Sequence, residues 1–155
     1  MTNVPEPGDL APDFTAEDTH GTPVSLSALR GTPVALVFFP FAFSGICTGE
    51  LCELRDNLSS FERAGVRLLG ISCDSKFALR AWGEQERFGF DLISDFWPHG
   101  QIARSYGVFD SGSGLALRGS LLLDADGVVR WSVLNPRGQA RPLAAYLQAL
   151  DDLAA

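Results

Sequence analysis

Two continuous apolar runs stand out in the chain. Residues 34–39 read VALVFF and residues 66–72 read VRLLGIS. Runs of this length without polar alternation predict strands that are buried on both faces of a sheet. Pro40 ends the first run, and the segment between the two runs has helical spacing. Its apolar positions on one side are Leu51, Leu54, Leu58 and Phe61.

Weaker patterns predict the remaining elements. Residues 77–88 and 102–106 have helical spacing, and Leu92 and Ile93 indicate a short strand between them. Residues 14–16 and 24–26 flank a polar segment and predict an N-terminal hairpin. Residues 120–124 and 128–133 alternate around Asp126-Gly127, which is typical of a hairpin with a type I′ turn. Pro142 then opens a last amphipathic helix.

This order of elements predicts one α/β domain over residues 1–155. Strand, helix, strand and helix, followed by a hairpin and a last helix, favour a thioredoxin-like fold. We expect a central mixed sheet with helices on both faces and the N-terminal hairpin at its side. Sites in such sheets form beyond the carboxyl ends of the strands. The segment after Phe39 is therefore where we look for chemistry.

Charge and segment lengths exclude several classes of protein. The formal net charge is −7, from 12 basic and 19 acidic residues, and no local Lys/Arg cluster indicates a nucleic-acid surface. The sequence does not start with basic residues followed by an apolar stretch, so no secretory signal is predicted. Its apolar runs are also too short to span a membrane. We expect a cytoplasmic protein with neither nucleic-acid nor membrane partners.

The three cysteines, Cys47, Cys52 and Cys73, point to thiol chemistry. An odd number of cysteines in a chain without an export signal is a poor basis for a structural disulfide framework. The cysteine and histidine spacings also do not fit a zinc site, so no metal is expected. Redox or nucleophilic use of a thiol remains.

Cys47 lies where the first predicted helix begins. Ser44 is a good N-cap residue, which puts Cys47 in or near the first turn. Unpaired backbone N–H groups and the helix dipole there favour an anion, so we expect the pKa of Cys47 to fall and its thiolate to form. At about 100° per residue, Cys47 shares the inward stripe with the helix leucines. Glu50 lies at the edge of that stripe and therefore needs an arginine partner.

Cys52 points about 140° away from Cys47 on an ideal helix. The two Cα atoms are then roughly 8–9 Å apart, beyond the ~7 Å limit for a disulfide. A bond between these cysteines therefore requires the first helical turns to unwind.

At these residues the sequence resembles the peroxiredoxin family, whose signature is P-x-x-x-[T/S]-x-x-C. Pro40, Ser44 and Cys47 complete it, and Glu50 follows as in the family. Further similar segments lie at residues 11–14, 69–72, 94–95, 106–108 and 118–120. Residues 38–40, 42–47 and 94–100 are similar to the one-cysteine alkyl hydroperoxide reductase E group. Cys52 departs from that group and is instead typical of the peroxiredoxin Q (bacterioferritin comigratory protein) group.

The resemblance implies a thiol peroxidase that needs no cofactor and acts on hydrogen peroxide or organic hydroperoxides. Cys47 is the implied peroxidatic nucleophile. The resemblance further implies that Ser44 and Arg118 hold and polarise the peroxide, that Pro40 shields the thiolate, and that Glu50 orients Arg118. The resulting sulfenic acid condenses with another thiol.

The identity of that second thiol stays open. We expect Cys52 to resolve the sulfenic acid, followed by reduction by thioredoxin or a glutaredoxin-like protein. Direct attack on Cys47 by mycothiol, glutathione or thioredoxin is the alternative, and Cys73 is expected to be a buried structural thiol. The resemblance also implies a homodimer that forms through the face near the active site. Two rival functions are a thioredoxin-like disulfide reductase, which favours C-x-x-C spacing, and a non-enzymatic redox sensor.

Other residues have weaker predictions. Phe41, Phe43, Phe96 and Trp97 are expected either to line the pocket mouth or a dimer surface, or to pack in the core. We expect His99 to cap the helix that follows it. Arg141, just before the last helix, is a weaker candidate for adding to the charge of the site.

Overall fold

The computed structural model describes residues 3–155. No helix in that range is long and apolar enough to cross a lipid bilayer. The elements in chain order are β1 (Thr15–Asp18), β2 (Pro23–Ser25), β3 (Val34–Phe38), α1 (Gly45–Asp56), α2 (Leu58–Arg63), β4 (Arg67–Ser72), α3 (Lys76–Glu86), β5 (Asp91–Ser94), α4 (Gln101–Ser105), β6 (Phe109–Asp110), β7 (Leu115–Ala116), β8 (Arg118–Leu123), β9 (Val129–Asn135) and α5 (Leu143–Ala154).

Seven strands form one mixed sheet in the order β2-β1-β5-β4-β3-β8-β9. The three central strands β5, β4 and β3 are parallel, and β8 and β9 extend the sheet antiparallel on one side. The predicted N-terminal hairpin forms from β1 and β2 and joins the other side through β5. The predicted thioredoxin-like α/β fold is thereby confirmed.

β3 is buried on both faces, as its apolar run predicts. Leu36 and Phe38 face one hydrophobic cluster of the core, and Val37 and Phe39 face the other. Because side chains alternate along a strand, only a continuous apolar sequence satisfies both clusters. The carboxyl end of this rigid strand leads directly into the segment that carries Cys47.

The helical pattern after β3 forms two helices instead of one. α1 ends at Asp56, and Asn57, with φ −119° and ψ 19°, separates it from α2. The side chain of Asn57 donates to the Glu53 carbonyl at 2.8 Å, which competes with continuation of the helix. The assumption of one continuous helix is therefore wrong, but Phe61 is buried in the same hydrophobic cluster as Cys47, and Leu58 packs against that cluster.

The turn between β8 and β9 also differs from the prediction. A type I′ turn requires positive φ at both central residues. Here Gly127 has φ 80°, whereas the φ angle of Asp126 is not positive. Gly127 N donates to Asp124 O at 3.0 Å and Asp124 N donates to Val128 O at 2.9 Å, which makes a longer loop. The Asp124 carboxylate also accepts from Val128 N, so the aspartate stabilises this loop.

Candidate active site

The loop from Pro40 to Ser44 joins β3 to α1 and is attached to the neighbouring strand. Ala42 N donates to Asp74 Oδ2 at 2.9 Å, and Ser72 Oγ donates to the same oxygen at 2.6 Å. Phe43 has φ 69°, a left-handed conformation that is costly for a residue with a side chain. The surrounding contacts thus hold this loop in a specific shape immediately before Cys47.

Ser44 occupies the N-cap position of α1, but its side chain makes no capping hydrogen bond within residues 3–155. Its backbone carbonyl accepts from Thr48 N at 2.8 Å. The hydroxyl oxygen is buried and has no hydrogen-bond partner in the described chain. A buried polar atom without a partner is costly, and such atoms are frequent at functional sites. The predicted N-cap position of Ser44 is confirmed, and its hydroxyl is left available to another molecule.

Cys47 lies in the first turn of α1 and is completely buried. Leu51 and Leu54 are buried on the same face of the helix, as the helical spacing predicts. Pro40, two residues after the end of β3, is also buried. The sulfur is therefore withdrawn from bulk water.

Arg118, the first residue of β8, reaches the sulfur from far along the chain. Its Nη1 donates to Cys47 Sγ at 3.3 Å and to Glu50 Oε1 at 2.5 Å. Its Nε donates to the Arg137 carbonyl at 2.6 Å. The guanidinium is only 3% exposed, and its planar donor set lets one side chain serve all three acceptors. The expected arginine partner of Glu50 is thus in contact with Cys47 as well.

A second arginine, Arg141, binds the same carboxylate from the other side. Arg141 Nη2 donates to Glu50 Oε1 at 2.9 Å, Nε donates to Oε2 at 3.0 Å, and the Arg141 backbone N donates to Oε2 at 2.6 Å. Its Nη1 donates to the carbonyls of Phe38 and Gly119 and to Ser120 Oγ. The sequence predicts only a minor contribution from Arg141. The available signal was Glu50, whose carboxylate at the buried edge of a helix needs a cationic partner.

The two arginines control the ionisation of Glu50. Burial by itself raises the pKa of this carboxyl, but the hydrogen bonds and charge of Arg141, together with the charge of Arg118, hold its pKa below the ordinary value. Glu50 is therefore a carboxylate, and the cluster carries two positive charges and one negative charge. A thiolate at Cys47 would balance the remaining positive charge.

The other two cysteines lie in different surroundings. Cys52 is half-buried on the far side of α1, and its Sγ donates to Glu86 Oε2 at 3.4 Å. Cys73 is buried directly after β4. Burial, with the negative charges of Asp95 and Asp74, raises the pKa of Cys73 to about 12. Cys73 is therefore a neutral thiol, consistent with the predicted structural role.

The four aromatic residues Phe41, Phe43, Phe96 and Trp97 are exposed, not packed in the core. Phe41 and Phe43 are each 50% exposed, Phe96 is 52% exposed and Trp97 is 82% exposed. Phe96 and Trp97 line a cleft of about 670 Å³ with Phe77, and the residues that line this cleft do not include Cys47.

His99 does not cap α4, so that expectation is wrong. Its Nε2 is hydrogen-bonded to the Gly114 carbonyl at 2.6 Å. The buried Asp95 caps the helix instead, because its carboxylate accepts from Ile102 N and Ala103 N, both at 2.9 Å. Both acceptor oxygens are therefore used at the amino end of α4.

Comparison with known proteins gives consistent matches over the whole chain. The AhpC/TSA family profile matches residues 7–132. Alkyl hydroperoxide reductase E of Mycobacterium tuberculosis is 42% identical over 156 residues, which cover 100% of both chains. A peroxiredoxin of Thermoplasma volcanium is 34% identical over 94% of this chain and 73% of its own length.

Solved structures show the same similarity. Peroxidoxin BcpB from Mycobacterium tuberculosis superposes with a TM-score of 0.84 at 30% identity and covers 97% of each chain. The reduced 2-Cys peroxiredoxin of Plasmodium vivax superposes with a TM-score of 0.86 at 29% identity, over 95% of this chain and 81% of its own.

Proposed function

Because the chain belongs to the AhpC/TSA family of peroxiredoxins and is a thiol-dependent peroxidase, we propose that Cys47 is its peroxidatic sulfur and that Cys52 resolves the oxidised form. The predicted family and the predicted class of enzyme are thereby confirmed. The observation that carries the assignment of Cys47 is its contact with Arg118 Nη1 at 3.3 Å inside a buried, positively charged cluster. Hydroperoxides are the oxidising substrates and thiols the reductants of this family.

In the first step, the Cys47 thiolate attacks one oxygen of the peroxide and the O–O bond breaks. The sulfur gains that oxygen and becomes a sulfenic acid, while the other oxygen leaves as an alkoxide or hydroxide and takes up a proton. Negative charge therefore develops on the leaving oxygen. Donors that are already in place stabilise such charge strongly in a water-poor site.

Two side chains have suitable donors for this charge. The guanidinium of Arg118 already contacts the sulfur. The Ser44 hydroxyl is buried without a partner in residues 3–155 and can donate to a peroxide oxygen. Together with the Cys47 backbone N–H, they form the proposed peroxide site.

Glu50 and Pro40 have supporting roles in this proposal. Glu50 orients Arg118 through the 2.5 Å hydrogen bond and is itself held by Arg141. Pro40 has no N–H, and its buried position beside the Cys47 loop shields the thiolate from water. We add Arg141 to the proposed site as the residue that fixes Glu50.

In the second step, Cys52 attacks the sulfenic acid of Cys47. A sulfur–sulfur bond forms, the Cys47 S–O bond breaks, and water leaves with the proton of the Cys52 thiol. Both cysteines lie in α1, so the helix must unwind locally before the sulfurs meet. Thioredoxin or a similar thiol reductant then reduces the disulfide. The raised pKa of Cys73, about 12, counts against Cys73 in this role.

We also propose that the protein forms a homodimer through the face around the Cys47 loop. Phe41, Phe43 and Ile46 on this loop and its helix are 50%, 50% and 41% exposed. Exposed apolar side chains grouped in this way mark interaction surfaces.

Intact mass after one equivalent of hydrogen peroxide tests the assignment. The wild-type chain should lose two hydrogens through a Cys47–Cys52 bond, located by peptide mapping. Cys47→Ser should remain unmodified, and Cys52→Ser should gain oxygen on Cys47 without forming the disulfide. Cys73→Ser is the matched control and should behave as the wild type.

Turnover separates the proposal from its rivals. A peroxidase reduces many equivalents of peroxide with thioredoxin, whereas a disulfide reductase or a redox sensor does not. We expect Cys52→Ser to stop thioredoxin-driven turnover. Full turnover by that variant would remove Cys52 from the mechanism and favour direct attack of the reductant on Cys47.

A further inference from the structure

The side of α1 opposite Cys47 is attached to α3 through one residue, Glu86. Cys52 Sγ donates to Glu86 Oε2 at 3.4 Å, and Arg55 Nη1 donates to the Glu86 carbonyl at 2.5 Å. Arg55 and Cys52 are less than one helical turn apart, so they face the same neighbour. Side chain and backbone of Glu86 therefore both contact α1.

The position of Glu86 is set by the end of α3. Glu86 is its last helical residue, and Arg87 follows with φ 56° in the left-handed conformation. The Glu86 carbonyl is thus one of the terminal acceptors that a helix leaves unsatisfied, and a guanidinium suits it well. Arg55 in turn is held by Asp56 Oδ1 at 2.9 Å.

We propose that Glu86 is a positioning residue for Cys52, which it holds on α3 as a neutral, unreactive thiol as long as α1 is folded. This inference rests on the proposed resolving role of Cys52. When α1 unwinds, Cys52 leaves the carboxylate, ionises as an ordinary thiol and attacks Cys47. Glu86 would thus restrict the nucleophilic form of Cys52 to the conformation in which its target is within reach.

The charges around Cys52 support this. Glu86 on α3 and Asp56 on α1 oppose a negative charge on the sulfur, whereas Arg55 favours one. Burial and the hydrogen bond to Glu86 raise the pKa of Cys52, and the charge of Arg55 does not cancel that effect. Because the thiolate is the attacking species, a neutral Cys52 reacts slowly with peroxide and with other electrophiles.

The test measures the reactivity of Cys52 by itself, in a chain that also carries Cys47→Ser and Cys73→Ser. Alkylation by iodoacetamide is followed by intact mass as a function of pH. Glu86→Gln keeps a hydrogen-bond acceptor but removes the charge. We expect alkylation about threefold faster, because the gain in thiolate outweighs its lower intrinsic nucleophilicity, and a pH profile shifted to lower pH.

Glu84→Gln is the matched control, since Glu84 lies on α3 and pairs with Arg80 on the surface. It should leave the rate and the pH profile unchanged. Equal rates and profiles for Glu86→Gln and Glu84→Gln would overturn the proposal. Faster alkylation without any shift of the pH profile would also overturn it, since that result indicates only a loosened contact.

A second measurement uses the chain with all three cysteines. After one equivalent of hydrogen peroxide, Glu86→Gln should form the Cys47–Cys52 disulfide faster than the wild type, with an unchanged first oxidation. If the alkylation of Cys52 responds to Glu86→Gln but no variant forms the disulfide, the resolving role of Cys52 fails and the effect of Glu86 on its reactivity stands. The two proposals therefore fail separately.

Discussion

Replacing Arg118 by lysine tests the central contact of the site while keeping its charge. The guanidinium serves three acceptors at once, namely Cys47 Sγ at 3.3 Å, Glu50 Oε1 at 2.5 Å and the Arg137 carbonyl at 2.6 Å. An ammonium group is a compact point charge and does not reproduce this planar set of donors. We therefore expect the ammonium group of the Arg118→Lys variant to remain paired with Glu50 and to lose its contact with the reacting atoms.

The size of the effect follows from the strength of that contact. A hydrogen bond to a charged group contributes about 1.5–3 kcal/mol. If this interaction is lost in the transition state, the first oxidation slows about 10-fold to 150-fold, because about 1.4 kcal/mol corresponds to a factor of ten. Arg118→Met removes the charge as well, and we expect a loss of about 10²–10³, similar to the loss of an oxyanion-hole donor.

The rate of the first oxidation is measured by rapid quenching with an alkylating agent and intact mass, in a chain that also carries Cys52→Ser. Arg130→Lys is the matched control, because Arg130 pairs with Asp124 on the exposed side of the neighbouring strand. Thermal unfolding checks that each variant is folded. We expect the Arg118 variants to fold, because Glu50 keeps its ion pair with Arg141. A rate for Arg118→Lys within about twofold of the control would refute a role for the guanidinium in the transition state.

Three further predictions concern single groups. Ser44→Ala should slow the first oxidation about 10-fold to 150-fold, the value of one hydrogen bond to a charged group, and Ser44→Thr should restore the single-turnover rate. Glu50→Gln should lower stability near neutral pH by about 3–5 kcal/mol. Because the folded-state pKa of Glu50 is lowered, its contribution is present above the ordinary value of 4.5 and is lost as pH falls through the folded-state pKa. Melting temperatures of wild type and Glu50→Gln should therefore converge in acid. Cys73, with its pKa raised to about 12, should stay unlabelled by iodoacetamide in the native protein and react only after denaturation.

Much of the site was predictable because it depends on local rules. The apolar run before Pro40 requires a strand buried on both faces, and the helix after it places Cys47 in the first turn. The same helical spacing puts Glu50 at a buried edge, where a carboxylate needs a cationic partner. These inferences follow from periodicity and from the cost of burying charge.

The rest depends on contacts between distant segments, which spacing does not reveal. Arg141 reaches Glu50 across 91 residues of sequence, and Glu86 contacts Cys52 across 34. The break at Asn57 and the loop at Gly127 depend on hydrogen bonds of the Asn57 and Asp124 side chains, which compete with regular structure. A hydrophobic pattern is insensitive to such competition, because the apolar side chains remain buried in either arrangement.

The arrangement of α1 sets two requirements that oppose each other. The proposed first oxidation needs the helix folded, with Cys47 buried and Arg118 in contact, and each buried leucine of this helix stabilises that state by about 1.5–3 kcal/mol. Formation of the proposed Cys47–Cys52 disulfide needs the same turns unwound. In the proposed mechanism, oxidation of Cys47 shifts this balance, since a neutral sulfenic acid does not offset the second positive charge that Arg118 and Arg141 place beside Glu50. Glu50 therefore stabilises the folded form at the Cys47 face, while Glu86 holds the opposite face. Variants at these two carboxylates should alter the lifetime of the folded helix independently of each other.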